Sequence, residues 1–395
     1  MKILGIVTEF NPLHNGHIYQ IEQAKKKTKC DFTIILMSGN FTQAGNIAVL
    51  NKYERAKLAI SNGADMVIEL PTIYANSSAQ FFASGAMNIF NNLGIIDYLT
   101  FGNEDTNISE LKHIANVIIK NDNKIWEHIR SNLKSGDGFA KARQQALANF
   151  LEQKYIDVLT KPNNILAIEY IKELKKLKSK IKIVSIPRQN DISATNIRNV
   201  LINKKNEIEK MANIIPQNEI KCLENSSKIY CSYNDKIFEL LKYKLFNMSL
   251  DELKNINEVT EGLENKIIKS AYLSTNYTEF LNNLKSKRYT DSKLKRIINN
   301  IILDIDKDTF NSCISNKVGY AHILAISAPG KKMLSELSKS STINVLTSLS
   351  KYKKSYTISS NALDVQKMLS IDVLASNIYS IISNQKSNLD YTNML

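Results

Sequence analysis

The stretch that decides the fold covers residues 5–17 and reads Gly5-Ile6-Val7-Thr8-Glu9-Phe10-Asn11-Pro12-Leu13-His14-Asn15-Gly16-His17. Its apolar, β-branched start predicts a strand that ends near Glu9. Asn11-Pro12 then turns the chain, and a helix is expected to begin between Asn15 and His17. Gly16 removes a side chain where a ligand would come close to the backbone. The stretch therefore predicts a binding loop between a first strand and a first helix.

Two of the five histidines of the chain, His14 and His17, lie in this loop. Three residues apart at a helix start, they are expected to face the same way. Unpaired amides and the helix dipole favour an anion there, and two imidazoles add donors for charge that develops on a phosphoryl group. We predict a nucleotide site with both histidines as catalytic residues. The alternative is a chance pair, one capping and one packed; a zinc site is disfavoured because no third ligand is evident.

Further strands and helices alternate through the first half of the chain. The predicted strands are residues 2–9, 31–37, 65–70, 98–101 and 180–186, and the helical patterns between them are 16–27, 52–62, 78–93, 109–121 and 165–178. Such repetition predicts an α/β fold, a Rossmann-like parallel sheet with helices on both faces. Ligands of such sheets bind beyond the carboxyl ends of the strands.

After about residue 200 the strand signal fades and helical periodicity takes over, at 237–246, 249–255, 263–273, 277–284, 291–304 and 362–384. A chain of 395 residues usually needs more than one core. We therefore predict an α/β domain at residues 1–202 and a mostly α-helical domain at 203–395. The Asn-, Tyr- and Ser-rich tail at 384–395 is expected to fray.

Composition narrows the class of protein. Fifty-two basic against 38 acidic side chains give a net charge of +14, which favours a polyanionic partner, although free use of Lys by an AT-rich genome would give the same excess. The four cysteines are far apart and predict neither a disulfide framework nor a structural zinc site. No apolar run reaches the roughly 18 to 20 residues of a membrane span, and the first ten residues read as a strand and not as a signal peptide. A cytosolic protein is expected.

A second set of polar residues follows the last predicted strand. Ser193 or Thr195 can cap the helix that begins there, and with the free amides and Arg198 they would form another phosphate cradle. A plain N-cap with a solvated arginine is the alternative. Together with the histidine motif, this segment is interpreted as the pyrophosphate side of one site.

These two motifs carry a resemblance. His14-Asn15-Gly16-His17 and Ile192-Ser193-Ala194-Thr195-Asn196-Ile197-Arg198 resemble the two signatures of the nucleotidylyltransferase superfamily, whose Rossmann-like domain is shared with class I aminoacyl-tRNA synthetases. Residues 10–17, 37–41, 63–71, 82–86, 101–104 and 161–166 resemble the bacterial tRNA(Met) cytidine acetate ligase family. Lys287-Arg288-Tyr289-Thr290, followed by Lys295-Arg296, is similar to that family's basic stretch. The resemblance covers essentially the whole chain.

The resemblance implies an activity and a set of site residues. ATP and acetate would give acetyl-adenylate and pyrophosphate, and the acetyl group would pass to N4 of the wobble cytidine of elongator tRNA(Met). By position it implies ATP contacts at Val7, Thr8, Glu9, Phe10, Asn11, His14, Asn15, Gly16, His17, Gln20, Gly102, Asn163 and Arg188, to which the residues themselves add Ser193, Thr195 and Arg198. Two departures from the family pattern are Ala44 and His322, each where an arginine is expected.

The expected chemistry is positioning and electrostatics, with Mg²⁺ on the phosphate oxygens and no protein nucleophile, because acetate is already an anion. Reading an anticodon base requires cations along the RNA backbone. Our candidates are Lys52, Arg55, Lys287, Arg288, Lys295 and Arg296, each with a solvated helix face as its alternative.

Three other functions are alternatives to the activity that the resemblance implies. A small-molecule adenylyltransferase would need no basic helical domain. A non-catalytic, nucleotide-sensing RNA-binding protein would bind ATP without acetate-dependent exchange of pyrophosphate. Aminoacylation of tRNA is disfavoured because the sequence has no loop similar to Lys-Met-Ser-Lys-Ser.

Overall fold

A seven-stranded sheet forms the centre of the molecule, in a computed structural model that describes residues 1–104, 107–135, 138–187, 193–203, 208, 211–260, 262–350 and 364–392. The strand order is β5-β4-β1-β2-β3-β6-β7. The strands are β1 (Ile3–Thr8), β2 (Phe32–Ser38), β3 (Met66–Leu70), β4 (Tyr98–Asn103), β5 (Lys182–Pro187), β6 (Tyr320–Ile326) and β7 (Asn344–Leu346).

Helices follow each of the first five strands and make up most of the second half. In the described residues they are α1 (Asn15–Thr28), α2 (Lys52–Ser61), α3 (Thr72–Ala75), α4 (Ala79–Leu93), α5 (Ile108–Lys120), α6 (Asp122–Lys134), α7 (Phe139–Ala148), α8 (Gln153–Val158), α9 (Pro162–Lys176), α10 (Ala194–Asn203), α11 (Gln217–Tyr230), α12 (Tyr233–Phe246), α13 (Leu250–Asn255), α14 (Leu263–Leu273), α15 (Tyr277–Leu284), α16 (Asp291–Ile302), α17 (Lys307–Ser315), α18 (Lys332–Ser340), α19 (Asp364–Ile382) and α20 (Leu389–Thr392). A short 3-10 helix, Pro329–Lys331, precedes α18.

The predicted parallel sheet is confirmed. β1 pairs in parallel with β2 and β4, β2 with β3, and β4 with β5. Successive residues of the central strands belong to different cores: Ile34 and Leu36 of β2 pack on one face, while Ile35 and Met37 pack on the other. The alternation places α4 and α9 over the first face and α1 and α2 over the second. The strands are apolar throughout because both faces are covered.

The second half of the chain also contributes to the sheet, which the sequence analysis missed. β6 pairs antiparallel with β3, and β7 pairs in parallel with β6. The prediction of a mostly helical second half is therefore incomplete. The division at residue 203 stays a proposal, since strands from beyond it complete the sheet of the first half.

The C-terminal end returns to the core of the first half. The expectation that residues 384–395 fray is wrong for α20, because Asp390 is buried and its Oδ1 atom lies 2.5 Å from Nζ of Lys52. The same oxygen accepts a hydrogen bond of 2.8 Å from the Tyr53 hydroxyl. In the part of the chain that the structure describes, every helix is too short or too polar to cross a membrane.

Candidate active site

The histidine loop runs from the end of β1 to the start of α1. Arg55 of α2 fixes the backbone around it: Nη1 donates to the carbonyl oxygens of Glu9 (2.6 Å) and Ser38 (3.1 Å), Nε donates to that of Leu50 (3.0 Å), and Nη2 donates to that of Gly39. One buried guanidinium therefore holds the carboxyl ends of two neighbouring strands and the chain that leads into α2.

The two histidine rings lie against each other at the start of α1. Their centroids are 3.8 Å apart with planes inclined by 23°, and the centroids of Phe10 and His17 are 5.0 Å apart in a T-shaped arrangement. The backbone N–H of His14 donates to Nδ1 of His17 over 3.2 Å. Because Nδ1 of His17 accepts a hydrogen bond, the ring proton is on Nε2, which is thereby a donor for a ligand.

The second motif reaches the histidine loop through Arg198. Its Nη1 atom donates to the carbonyl oxygen of Asn11 over 2.6 Å, and its Nη2 atom donates to the Thr195 hydroxyl over 2.9 Å. The backbone N–H of Thr195 donates to the Ser193 hydroxyl oxygen over 3.3 Å at the start of α10. Two segments separated by about 180 residues of sequence are thus joined by one guanidinium.

A cavity of about 420 Å³ lies between these segments, at the carboxyl ends of β1, β4 and β5. The order of the strands reverses direction between β1 and β4. Open parallel sheets bind their ligands at such a reversal. The lining includes fourteen of the sixteen predicted ATP contacts: Val7, Thr8, Glu9, Phe10, Asn11, His14, Gly16, His17, Gln20, Gly102, Asn163, Ser193, Thr195 and Arg198.

Two predicted contacts are not placed in this cavity. Asn15 turns toward the next part of the chain, where its Nδ2 atom donates to the Asn213 carbonyl oxygen over 3.0 Å and its backbone N–H donates to that of Ile214 over 2.8 Å. Its ATP contact therefore stays a prediction, with the amide and the backbone N–H of Asn15 already engaged by this segment. Arg188 lies outside the described residues.

The sequence analysis missed an apolar side of the cavity. Phe82, Phe101, Leu166 and Tyr170 line it, and they come from β4, α4 and α9. Phe101 could have been found because it directly precedes Gly102 on a predicted strand. The others lie in helices whose inward faces only the packing defines. Aromatic and aliphatic walls with a few polar groups are typical of nucleotide-sized pockets.

Two carboxylates, Glu9 and Glu104, line the cavity. Oε1 of Glu9 accepts a 2.7 Å hydrogen bond from the Gln43 backbone. Burial raises the pKa of Glu9, against the opposing effects of this bond and of the charges on Arg198 and Arg55. Nδ2 of Asn163 donates to Oε1 of Glu104, so this predicted contact is held by a neighbouring carboxylate.

Known proteins similar to this chain point to one family. A family model described as HIGH Nucleotidyl Transferase matches residues 1–393. The tRNA(Met) cytidine acetate ligase of Thermoanaerobacter sp. strain X514 is 37% identical over 100% of this chain and 99% of its own length. The tRNA(Met) cytidine acetate ligase of Clostridium perfringens strain ATCC 13124 is 37% identical over 99% of this chain and 98% of its own length. The chain belongs to the tRNA(Met) cytidine acetate ligase family.

Solved structures agree with this assignment. The crystal structure of Thermotoga maritima TmcAL bound with alpha-thio ATP is similar to this chain with a TM-score of 0.91 and 29% identity, covering 100% of this chain and 99% of that one. The crystal structure of the apo form of the same protein is similar with a TM-score of 0.87 and 28% identity, covering 97% of this chain and 95% of that one. The superfamily and the family that the sequence motifs resemble are thereby confirmed.

Two of the predicted RNA contacts in this family member are wrong. Lys52 and Arg55 are 1% and 0% exposed. Nζ of Lys52 lies 2.8 Å from both carboxylate oxygens of Glu69 and 2.5 Å from Oδ1 of Asp390, whereas Arg55 binds only backbone carbonyls among its described partners. Both cations are satisfied inside the protein and cannot reach a phosphate outside it.

The basic stretch of the second half divides into three kinds of residue. Arg296 is 6% exposed, and its Nε and Nη2 atoms bind the two carboxylate oxygens of Glu258 at 3.0 and 2.8 Å, so its prediction as an RNA contact is wrong. Lys295 is half-buried and donates to Oδ1 of Asn46 over 2.9 Å. Lys287 and Arg288 are exposed.

The two departures from the family pattern have different surroundings. Ala44 lines the nucleotide cavity, so the missing arginine side chain leaves space there. His322 is 3% exposed, and its Nδ1 atom lies 2.9 Å from Oε2 of Glu69. The ring of His322 belongs to the buried charge cluster around Lys52 and does not reach the surface.

Proposed function

We propose that the chain activates acetate with ATP and transfers the acetyl group to N4 of the wobble cytidine of elongator tRNA(Met). Its membership of the tRNA(Met) cytidine acetate ligase family supports this function. The observation that carries it is the Arg198 bridge, which brings the two nucleotidylyltransferase motifs to opposite sides of one cavity.

In the first step a carboxylate oxygen of acetate attacks the α-phosphorus of ATP. The bond between that phosphorus and the α–β bridging oxygen breaks, and pyrophosphate leaves with the electron pair. Nε2–H of His17, the His14 ring and the positive end of the α1 dipole stabilise the charge on the α-phosphoryl oxygens. Arg198, with the Ser193 and Thr195 hydroxyls, holds the β- and γ-phosphates. No protein nucleophile is needed, since acetate supplies it.

Mg²⁺ is part of the proposal as an ion held mainly by the nucleotide. Magnesium sites of this type need one or two carboxylates besides phosphate oxygens, and Glu9 and Glu104 line the cavity. Such an ion would neutralise charge on the triphosphate. Among the described residues, the one group of three side chains with metal-ligand spacing is Glu69, His322 and Asp390, and the Lys52 ammonium already lies against both of its carboxylates.

In the second step the N4 amine attacks the carbonyl carbon of acetyl-adenylate. A C–N bond forms, the C–O bond to AMP breaks, and the proton of N4 leaves to solvent as AMP departs. This step requires an anticodon base that is separated from its neighbours, with cations along its backbone. Of the six predicted RNA contacts, Lys287, Arg288 and Lys295 keep positions suited to this role.

Exchange of labelled pyrophosphate into ATP tests the first step, and mass analysis of nucleosides from tRNA(Met) tests the second. We expect exchange that requires acetate and is not supported by amino acids, followed by N4-acetylcytidine. Exchange without an acetate requirement would indicate a small-molecule adenylyltransferase. ATP binding without exchange would indicate a nucleotide sensor, and either result would overturn the proposal.

A further inference from the structure

A second cavity of about 440 Å³ opens beside the nucleotide cavity. Four residues, Ala44, Asn46, Thr195 and Arg198, line both cavities. The remaining walls come from α10, α11, α12, α15 and α16 and from the loop before α2. Arg198, which binds phosphate in the first cavity under the function proposed above, therefore lies on the border between the two cavities.

The walls of the second cavity combine aromatic rings with amide side chains. Tyr230 and Tyr233 lie on one side, with ring centroids 5.0 Å apart. Asn199, Asn234 and Asn282 line it as well, and all three are exposed to solvent. Single-stranded bases are bound by stacking on aromatic rings, a role open here to the half-buried Tyr230 because Tyr233 is buried. Side-chain amides supply both donors and acceptors for a pyrimidine edge. The lining is therefore suited to one unpaired base.

The charge around this cavity is positive. Lys285 and Lys295 line it together with Arg198, and Asp291 pairs with Lys285 at 3.1 Å. Burial lowers the pKa of Lys295, and the charges of Arg198 and Lys285 act in the same direction against Asp291. A phosphate at this place would relieve that repulsion. The exposed pair Lys287 and Arg288 follows Lys285 closely in the sequence and adds two cations outside the cavity lining.

We propose that the second cavity holds the acceptor cytidine, splayed out of the anticodon loop of the tRNA, with its N4 amine directed at the shared wall formed by Thr195 and Arg198. The inference rests on the proposed function. When pyrophosphate leaves, the space beside that wall opens between the second cavity and the α-phosphate that carries the acetyl group. An amine that enters through the second cavity reaches the carbonyl from the side that the nucleotide leaves open.

A pair of variants tests this assignment by separating the two steps. Asn234→Ala combined with Asn282→Ala removes two exposed amides from the second cavity and leaves the nucleotide cavity unchanged. We expect acetate-dependent pyrophosphate exchange within twofold of the unmodified protein, and a fall of roughly tenfold or more in kcat/KM for acetylation of tRNA. Asn311→Ala is the matched control, since Asn311 is exposed on α17 and lines neither cavity.

Two results would overturn the assignment: equal losses in exchange and transfer, which would assign the cavity to the nucleotide, or no loss in either. A second measurement uses an anticodon stem-loop RNA with 4-thiouridine at the wobble position, cross-linked by light to the full chain. We expect cross-links within residues 230–237 or 277–285, and cross-links confined to other segments would contradict it. If the unmodified protein shows no acetate-dependent exchange, the proposed function fails instead.

Discussion

At the scale of single residues, the ring of His17 has two separable roles. Nδ1 accepts the backbone N–H of His14, which shapes the loop, and under the proposed function Nε2–H donates to the reacting phosphate. In His17→Asn the side-chain oxygen can take the place of Nδ1 while the Nε2 donor is lost. We expect pyrophosphate exchange to fall about 10²–10³-fold, as for loss of one transition-state donor, with little change in the unfolding temperature.

His17→Gln is the matched variant for that prediction, because its amide can place a donor near the position of Nε2. It should lose less activity than His17→Asn. Exchange rates and thermal unfolding of both variants give the comparison. Equal activity of His17→Asn and the unmodified protein would show that Nε2 does not contact the reacting phosphate.

Lys52 was predicted to bind RNA, but it is buried against Glu69 and Asp390. Lys52→Met should destabilise the fold by about 3–5 kcal/mol, since it leaves the buried carboxylates of Glu69 and Asp390 without their cation. Urea unfolding measures this loss. Lys287→Met, at an exposed site, should unfold like the unmodified protein and instead raise KM for tRNA. The reverse pattern would restore Lys52 as an RNA contact.

At the scale of elements, the first five strands were predicted within one or two residues because short apolar runs bounded by turn residues mark buried strands. β6 was missed since an apolar run such as Tyr320–Ile326 fits a buried helix as well as a strand, and its partner β3 lies some 250 residues earlier. Similarly, Lys52 and Arg55 occupy polar positions of a helix that looks amphipathic. Only tertiary partners decide that these positions are buried.

The predicted ATP contacts lie together in the structure more often than the predicted RNA contacts do, for a physical reason. The carboxyl ends of parallel strands converge on one edge whatever the details of packing, so residues after β1 and β4 had to meet there. The cations of the second half have no such constraint. Arg296 and Lys287 belong to the same basic stretch of the sequence, yet Arg296 is buried against Glu258 and Lys287 is exposed.

The contact between α16 and the loop before α2 allows a test at this scale. Gly45 has a φ of +76°, and an added Cβ would lie 2.5 Å from Cβ of Lys295 and 2.8 Å from the backbone nitrogen of Arg296. Gly45→Ala should therefore destabilise the protein by about 2–4 kcal/mol, combining backbone strain with overpacking. Denaturant unfolding provides the measurement.

Gly262→Ala separates those two contributions. Gly262 has a φ of +82° but no atom within 4 Å of an added Cβ, so only the strain of about 1 kcal/mol is expected. If both variants lost the same stability, the loop and α16 would not be in firm contact. That result would also weaken the case for a defined second cavity, since Gly45 and Lys295 both line it.

At the scale of the whole molecule, the buried charge cluster joins distant parts of the chain. Lys52 of α2 and Glu69 of β3 meet His322 of β6 and Asp390 of α20. Asp372 of α19 accepts a 2.6 Å hydrogen bond from the backbone of Thr72 and another from the Tyr320 hydroxyl. Packing of the second half against the sheet thus depends on charges that lie far apart in sequence.

Asp372 should give this assembly a measurable pH dependence. Burial, followed by the negative charge of Glu69, raises the pKa of Asp372 to about 7, whereas an unfolded aspartate titrates near pH 3.9. The folded chain therefore binds more protons than the unfolded chain between roughly pH 4 and 7, and its stability falls as the pH rises through that window. Burial alone would raise the pKa of Glu69, but Lys52 and His322 lower it to about 2. The contribution of Glu69 to the stability of the fold is therefore lost only when the pH falls below about 4.

Asp372→Asn removes the titration while Oδ1 can still accept the Thr72 N–H. We expect the unmodified protein to lose more stability than this variant between pH 5 and pH 8. From pH 5 to pH 8 its Tm should fall by at least about 2 °C more than the Tm of the variant. Thermal unfolding of both proteins at the two pH values measures it, and Asp304→Asn, at an exposed aspartate, is the control. Parallel curves for Asp372→Asn and the unmodified protein would mean that Asp372 is already ionised at pH 5, with the Lys52 ammonium compensating its charge as well as those of Glu69 and Asp390.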